Sequence, residues 1–323
     1  MRRPVPLKTH SLSHSHCNVT NILIADDSPV DRALLQGILK TQSQWLVEAV
    51  ASSQEAIDRV QAGVDACSSQ TLSRRPAILV TDLQMPGIDG LELIARVKKI
   101  DPALPILLIT NSDNMEIAMS ALRAGATSFS PKSSLSTDLV TTINQVLEVA
   151  QRMRYTHSQS FCAVPEHQAF VLENESSLIG PTIENLQSGL PSWSHSDRLQ
   201  IGMAIEEALT NAMHHGNLEV CSKLREGDTD SEYYQVIAER KRVGKFRCRK
   251  VRVEAEYSDD HICIQISDEG AGFDPASIAD PRCRENLDRV SGRGLLLIRS
   301  FMDQVAHNAA GNQITMTKLR NLN

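Results

Sequence analysis

From Asn21 to about residue 150 the chain alternates short apolar runs with helical stretches, and this alternation restricts the fold more than any other feature. Ile22–Ala25, Leu46–Ala51, Ala77–Thr81, Ile106–Thr110 and Thr127–Ser130 read as five strands. Val30–Lys40, Gln54–Ala62, Leu91–Lys99 and Asn114–Ala124 read as the helices between them. Strands separated by helices at this spacing imply a parallel sheet covered on both faces. A further helix from about Ser136 places Leu139, Ile143, Val146, Leu147 and Ala150 on one packing face.

Past a polar junction at residues 154–160 the pattern changes. Phe161–Leu172 contains a strand, Glu175–Gly189 reads as a helix, and Asp197–His215 as a second helix. Val251–Tyr257 and His261–Ser267 alternate with period two around Asp259-Asp260, the mark of a hairpin in a half-buried antiparallel sheet. Val305–Lys318 supplies at least one more strand. The expected fold is therefore α/β, with a doubly wound five-stranded parallel domain over residues 21–153 and an α+β domain over 161–323. Residues 1–20 are polar and without period, and read as a disordered leader. Its His10, His14, His16 and Cys17 are potential metal ligands, but a flexible tail is the simpler account of them.

A length of 323 residues suits two domains, and 41% hydrophobic with 22% charged residues is the balance of a soluble globular chain. Aromatic residues are only 4%, so the cores must be built from Ala, Leu, Ile and Val. A net charge of -6 argues against general nucleic-acid binding. No apolar run reaches membrane-spanning length, and the N-terminus lacks the apolar core of a signal peptide. The seven cysteines are scattered, with no CxxC pair, and read as reduced thiols of a cytoplasmic protein.

Parallel sheets place functional groups at the carboxyl ends of their strands. Here Asp26 and Asp27 end the first strand, Asp82 the third and Thr110 the fourth, and Lys132 follows the fifth. Capping of the next helix accounts for any one of these acids alone, but not for three acids, a hydroxyl and a lysine at one sheet edge. Three crowded carboxylates repel one another unless a divalent cation joins them, and hard oxygen ligands suit Mg²⁺. One carboxylate can then act as nucleophile toward a phosphoryl group while the lysine and hydroxyl neutralise the transferred oxygens. This constellation resembles the flavodoxin-like response-regulator receiver domain of two-component signalling. The resemblance makes Asp82, in TDLQMPGIDG, the phosphorylated aspartate, and Asp26 and Asp27 the metal acids, with the Gln84 backbone carbonyl completing the site. It makes Thr110 and Phe129 the hydroxyl and ring that rearrange after phosphorylation. Ser133 stands after Lys132 where receivers usually have proline.

In the second half, Glu207 precedes Asn211 by four residues, which puts both side chains on one helix face. The carboxylate can take a proton while the amide oxygen holds a cation. Two glycine turns follow, Asp268-Glu269-Gly270-Ala271-Gly272 and Ser291-Gly292-Arg293-Gly294, each able to close backbone around a nucleotide. Together these motifs resemble the ATP-binding domain of histidine kinases, type II topoisomerases, heat-shock ATPases and anti-sigma-factor serine kinases, an α+β sandwich. The serine kinases match best, since histidine kinases usually carry a second asparagine where this chain has Glu207. The resemblance implies that Glu207 is the general base and that Asn211 coordinates Mg²⁺ on the ATP phosphates. It also implies that Asp268 accepts a hydrogen bond from the adenine amino group, that Gly270 and Gly272 make room for the purine, and that Gly292 and Gly294 are lid glycines. Arg293 adds charge at the lid. Glu206, a quarter-turn off that face, reads as solvated; His214 and His215 either touch phosphate or serve structure.

The expected function is thus a response regulator whose output is a protein-serine/threonine kinase, with Asp82 phosphorylation controlling it. The implied cofactors are ATP and Mg²⁺. The implied partners are an upstream histidine kinase and an anti-anti-sigma (STAS-type) protein or a sigma factor, with neither nucleic acid nor membrane, and a homodimer as its relatives suggest. The alternatives are an atypical histidine kinase and a non-catalytic module that switches partners on binding ATP. A charged insertion near 222–250 departs from the compact serine kinases. Its Arg240–Arg252 run holds eight basic residues in thirteen, suited to docking an acidic partner or nucleic acid, with a solvated loop as the simpler reading.

Overall fold

The computed structural model describes residues 20–66, 75–110, 115–156, 166–221, 230–275 and 293–320. The leader apart from Thr20, residues 157–165 of the expected junction and strand start, and residues 222–229 of the insertion lie outside this set.

Five strands, β1 (Thr20–Ala25), β2 (Trp45–Val50), β3 (Ile78–Asp82), β4 (Ile106–Thr110) and β5 (Ser128–Pro131), pair in parallel in the order β2-β1-β3-β4-β5. Every residue of β3 and β4 is buried, as expected of central strands covered on both faces. The crossovers are α1 (Pro29–Leu39), α2 (Ser53–Ala66), α3 (Gly90–Ile100) and α4 (Met115–Arg123), followed by α5 (Leu135–Thr156). Local chemistry fixes where these helices start. Ser28 accepts a bond from the Asp31 amide to cap α1, and Pro29 sits where no helical N–H is needed. Asp89 caps α3 by accepting from Glu92 at 2.8 Å, and Lys98 and Lys99 lie in its last turn, where the helix dipole favours them. Helix α5 continues to Thr156, into the stretch expected to be a junction.

The second sheet is antiparallel, in the order β6-β7-β8-β10-β9, from β6 (His167–Leu172), β7 (Val251–Tyr257), β8 (His261–Ser267), β9 (Gln304–His307) and β10 (Gln313–Leu319). The stretch expected to hold at least one strand near 305–318 thus forms a hairpin. Residues of β7 and β8 alternate between buried and accessible, so one face meets the core. The helices of this half are α6 (Ile179–Ser188), α7 (His195–Thr210), α8 (Asp230–Arg242), α9 (Gly244–Arg247) and α10 (Arg293–Phe301).

The apolar core runs without a break from the parallel sheet through α5 into the second half. Helix α5 packs on α6 and α7, and α4 packs on α10. Gly202 of α7 leaves room for both neighbours, because a Cβ there would lie 2.6 Å from Gln187 Nε2 of α6 and 3.0 Å from Val149 Cγ1 of α5.

The insertion corrects the expectation of a solvated loop. Its described part folds into α8 and α9, and α8 buries Tyr233 and Ile237 against Leu218 and Val220. Several of its cations are used internally. Arg240 donates to the Leu218 carbonyl at 2.6 Å and to that of Glu219, while Arg249 donates to the Asn217 carbonyl at 2.7 Å. Lys241 pairs with Glu175 and Lys250 with Glu173, at 2.9 and 2.8 Å. The guanidiniums of Arg240 and Arg249 each lie 5.3 Å from the Phe246 ring centre. These bonds hold Glu219 at a φ of 51°, which is unusual for a residue with a side chain.

Two stability predictions follow from this packing. Gly202→Leu should overpack the space where α7 meets α5 and α6 and cost about 1–3 kcal/mol in urea unfolding; an unchanged midpoint would contradict this packing. Tyr233→Phe removes the hydroxyl facing His214 and should cost about 1–3 kcal/mol by the same measurement. A neutral result would show that the insertion does not anchor α7.

Candidate functional site

Among the described residues, two groups of side chains have the chemistry of sites. The first lies at the carboxyl edge of the parallel sheet. Ligand atoms of Asp26, Asp27 and Asp82 lie within 4.8 Å of one another. The two end residues of this group in the chain, Asp26 and Asp82, are buried, whereas Asp27 is exposed. Lys132 reaches into the group, with Nζ 3.1 Å from Asp82 Oδ2, 3.4 Å from Asp26 Oδ2 and 2.6 Å from Asp31 Oδ2. Asp31 was not singled out in the sequence. Its signal was available, because the first turn of α1 follows directly on the Asp26-Asp27 strand end.

Backbone amides fix the acids. Ser28 N–H donates to Asp26 Oδ1 and Leu83 N–H to Asp82 Oδ1, at 2.8 and 2.7 Å. Gly90 is required beside them, since a Cβ there would fall 2.5 Å from the Asp82 carbonyl oxygen. Burial is the main cause that raises the Asp26 pKa, with the charges of Asp82 and Asp31 adding to it against the Ser28 amide and Lys132. Burial pulls Lys132 the other way, but its bonds to Asp31 and Asp82 and the charges of Asp82 and Asp26 outweigh it and hold the ammonium above its usual value. Four carboxylates against one ammonium leave an excess of negative charge on hard oxygen donors, which fits a divalent cation such as Mg²⁺. Thr110 is buried at the end of β4, and Phe129 is buried on β5. Gln84 is exposed in the loop after β3. All peptide bonds among the described residues are trans, Lys132–Ser133 included.

The second group lines a cavity of about 720 Å³, a volume within the range of small-molecule sites. Glu207, Asn211, Asp268, Gly272 and Gly294 share it. Helix α7 does not run straight through the acid–asparagine stretch. It widens into a π-helical turn over Asn211–Asn217, where Leu218 N–H donates to the Met213 carbonyl. This turn separates the two histidines. His215 lines the cavity, with Nδ1 2.7 Å from the Val220 carbonyl. His214 is buried, with Nδ1 3.0 Å from Tyr233 Oη and Nε2 3.4 Å from Ser176 Oγ. Glu206 departs from the expectation of solvation, because its Oε2 is shielded from water.

Backbone approaches the floor of the cavity closely. A Cβ on Gly216 would fall 2.3 Å from the Asp268 carboxyl carbon, and one on Gly270 the same distance from the Gly216 carbonyl oxygen. Gly272 takes a φ of +72°, which favours glycine. Gly270 N–H donates to Asp268 Oδ1 at 2.8 Å. Burial pushes the Asp268 carboxyl up to about 6, against the Gly270 amide and the charge of Arg249, which favour ionisation. At the far end, a Cβ on Gly294 would meet Glu207 Oε2 at 2.6 Å, so the start of α10 lies directly on the acid. Arg293 begins α10; Gly292 lies outside the described residues. No helix among the described residues is long and apolar enough to cross a membrane.

The family model described as a response regulator receiver domain matches residues 22–144, and that described as a histidine kinase-like ATPase domain matches 186–318. The C4-dicarboxylate transport transcriptional regulatory protein DctD of Pseudomonas aeruginosa is 29% identical over 149 residues, 46% of this chain and 30% of that protein. A protein-glutamate methylesterase/protein-glutamine glutaminase of Rhodospirillum centenum is 32% identical over 122 residues, 36% of this chain and 28% of that protein. The chain spans about a fifth to a third of the length of the curated relatives it matches. Among solved structures, a CheY-like receiver domain protein from Methanospirillum hungatei is 22% identical, covering 42% of this chain and 98% of that one with a TM-score of 0.36. The receiver domain of the histidine kinase CKI1 from Arabidopsis thaliana, in complex with Mg²⁺ and BeF₃⁻, is 25% identical, covering 40% and 89% with a TM-score of 0.35. The parallel sheet with its convergent acids and the antiparallel sheet with its helix-borne acid–asparagine pair thus form a response regulator receiver domain joined to a histidine kinase-like ATPase domain.

Proposed function

We propose that this chain is a response regulator whose output is a Mg-ATP-dependent protein-serine/threonine kinase of the anti-sigma type, acting in the cytoplasm. The observation that carries the reading is the single cavity shared by Glu207, Asn211, Asp268, Gly272 and Gly294. A carboxylate, a cation-binding amide, an adenine-reading acid and close-approach glycines are what transfer from a nucleotide to a hydroxyl needs.

In this reading an upstream histidine kinase donates a phosphoryl group to Asp82, with Lys132 and Thr110 stabilising the transferred oxygens and Asp26, Asp27 and the Gln84 carbonyl holding the metal. Mg²⁺ supplies charge neutralisation at both centres when bound. In the second domain Asp268 accepts from the adenine amino group, a bond that guanine cannot offer at that edge. Asn211 holds the metal on the phosphates, and Gly292, Arg293 and Gly294 close over them. Glu207 takes the proton of the acceptor hydroxyl, which belongs to an anti-anti-sigma-type protein; a sigma factor is the further partner. The transcriptional output named for the curated relatives does not carry over, because each covers under half of this chain.

Two experiments test the reading. Glu207→Gln should lower transfer to protein hydroxyls by about 10²-fold or more while binding of labelled ATP persists. Undiminished transfer would sink the base assignment, and acid-labile label on a histidine would move the chain to the histidine kinases. The second uses pH. Asp268 reads adenine as a carboxylate, and its pKa is pushed up to about 6. Nucleotide affinity should therefore be full above that pH and fall as pH drops through it. Asp268→Asn should bind weakly across the range and lose this dependence, and titration calorimetry of a non-hydrolysable ATP analogue would read it. A pH profile that Asp268→Asn leaves unchanged would exclude Asp268 from adenine recognition.

A further inference from the structure

The cavity of the ATPase half is not closed by that half alone. Asp138, Thr141, Thr142 and Gln145 of α5, a helix of the receiver sheet, line it together with Glu207, Asn211 and Gly294. These positions are spaced by three or four residues, so they form one stripe along α5. The stripe continues to Val149, the residue packed against Gly202 of α7. Glu207 and Asn211 lie one and two turns or so further along α7 from that crossing. The receiver thus presents hydroxyl-bearing side chains to the cavity that holds the proposed general base.

Thr141 and Thr142 are the two hydroxyls on this stripe. Thr142 is only 1% exposed and has an interaction of its own. Thr141 is partly accessible. A threonine hydroxyl is the same nucleophile as that of a protein substrate. One on a packed helix that lines the same cavity as the base is tethered to it and needs no encounter.

We propose that Thr141 is a phosphoryl acceptor in cis, so that the kinase site modifies the receiver's own helix. The proposal rests on the kinase reading above. Thr141 Oγ1 forms a bond to the γ-phosphorus of ATP as the bond from that phosphorus to the β–γ bridging oxygen breaks. The electron pair leaves on ADP, and the hydroxyl proton passes to the Glu207 carboxylate. The product is a phosphothreonine about one helical turn from Asp138, in the cavity that Glu207 also lines, where like charges weaken the α5–α7 contact.

The test uses the full chain carrying Asp82→Asn, with Mg²⁺ and γ-labelled ATP, over a wide range of chain concentration. Acid-stable label should appear on Thr141, located by mass spectrometry, at a fractional rate independent of concentration. Thr141→Ser should retain the label at that position and Thr141→Ala should lose it. Glu207→Gln should lower it by about 10²-fold or more. A rate that rises with concentration, or label on Thr142 instead, overturns the assignment. So does acid-stable label on an added cytosolic protein with Thr141 unmodified, although the kinase reading then stands. Nucleotide bound in equilibrium dialysis with no acid-stable transfer anywhere overturns both.

Discussion

The contact of α5 with α7 is the constraint on which the rest of the molecule depends. Helix α5 belongs to the receiver sheet by sequence, yet it packs on α6 and α7 of the other half. Gly202, opposite Val149, leaves room for that packing by presenting no side chain. Glycine in a helix interior costs about 1 kcal/mol relative to alanine. Here the loss is offset by apolar burial along the crossing, part of a core that no break separates into two. Without the crossing, Thr141 and Gln145 would face water instead of the cavity.

The two sites treat charge differently, and each difference follows from geometry. At the parallel sheet edge, acids from separate strands and from α1 converge on one flexible ammonium, Lys132. A lysine suits this because it is a compact point charge that several carboxylates can share. Around the π-helical turn the cations are arginines, and they bind carbonyls. Arg240 and Arg249 tie down Asn217, Leu218 and Glu219, just past the asparagine that faces the cavity. The fork of a guanidinium can hold two acceptors in fixed directions. A widened helix end that leaves carbonyls without helical partners needs such donors.

Much of this was legible in the sequence. The five strands and the helices between them were readable because apolar runs of strand length alternate with helical periods, so local pattern and tertiary packing agree. The convergence of Asp26, Asp27, Asp82 and Lys132 was readable because strand ends in a parallel sheet share an edge. Asp31 stands apart from the strand-end acids, in the first turn of the helix that follows them, and its pairing with Lys132 shows only in the fold. The insertion differs from its sequence expectation for another reason. Eight basic residues in the Arg240–Arg252 run drew attention to charge. The signal lay just before it, in Tyr233, Val236 and Ile237, spaced three and one residues apart on a helix face. The π-helical turn had no sequence signal at all. Within it Gly216 sits closely against Asp268, a contact between segments some fifty residues apart that no local pattern records.

An unbroken core has a consequence for how the molecule comes apart. Where two domains meet through a thin polar seam, each melts by itself and the seam acts as a hinge. Here α5 contributes to both hydrophobic interiors, so opening it to solvent disturbs the packing of both. A shared core of this kind couples the stability of the receiver to that of the ATPase domain. Excising the receiver at the end of α5 would leave a fragment whose last helix carries a bare apolar face, Val149 and Ala150 among it, and such a face invites aggregation.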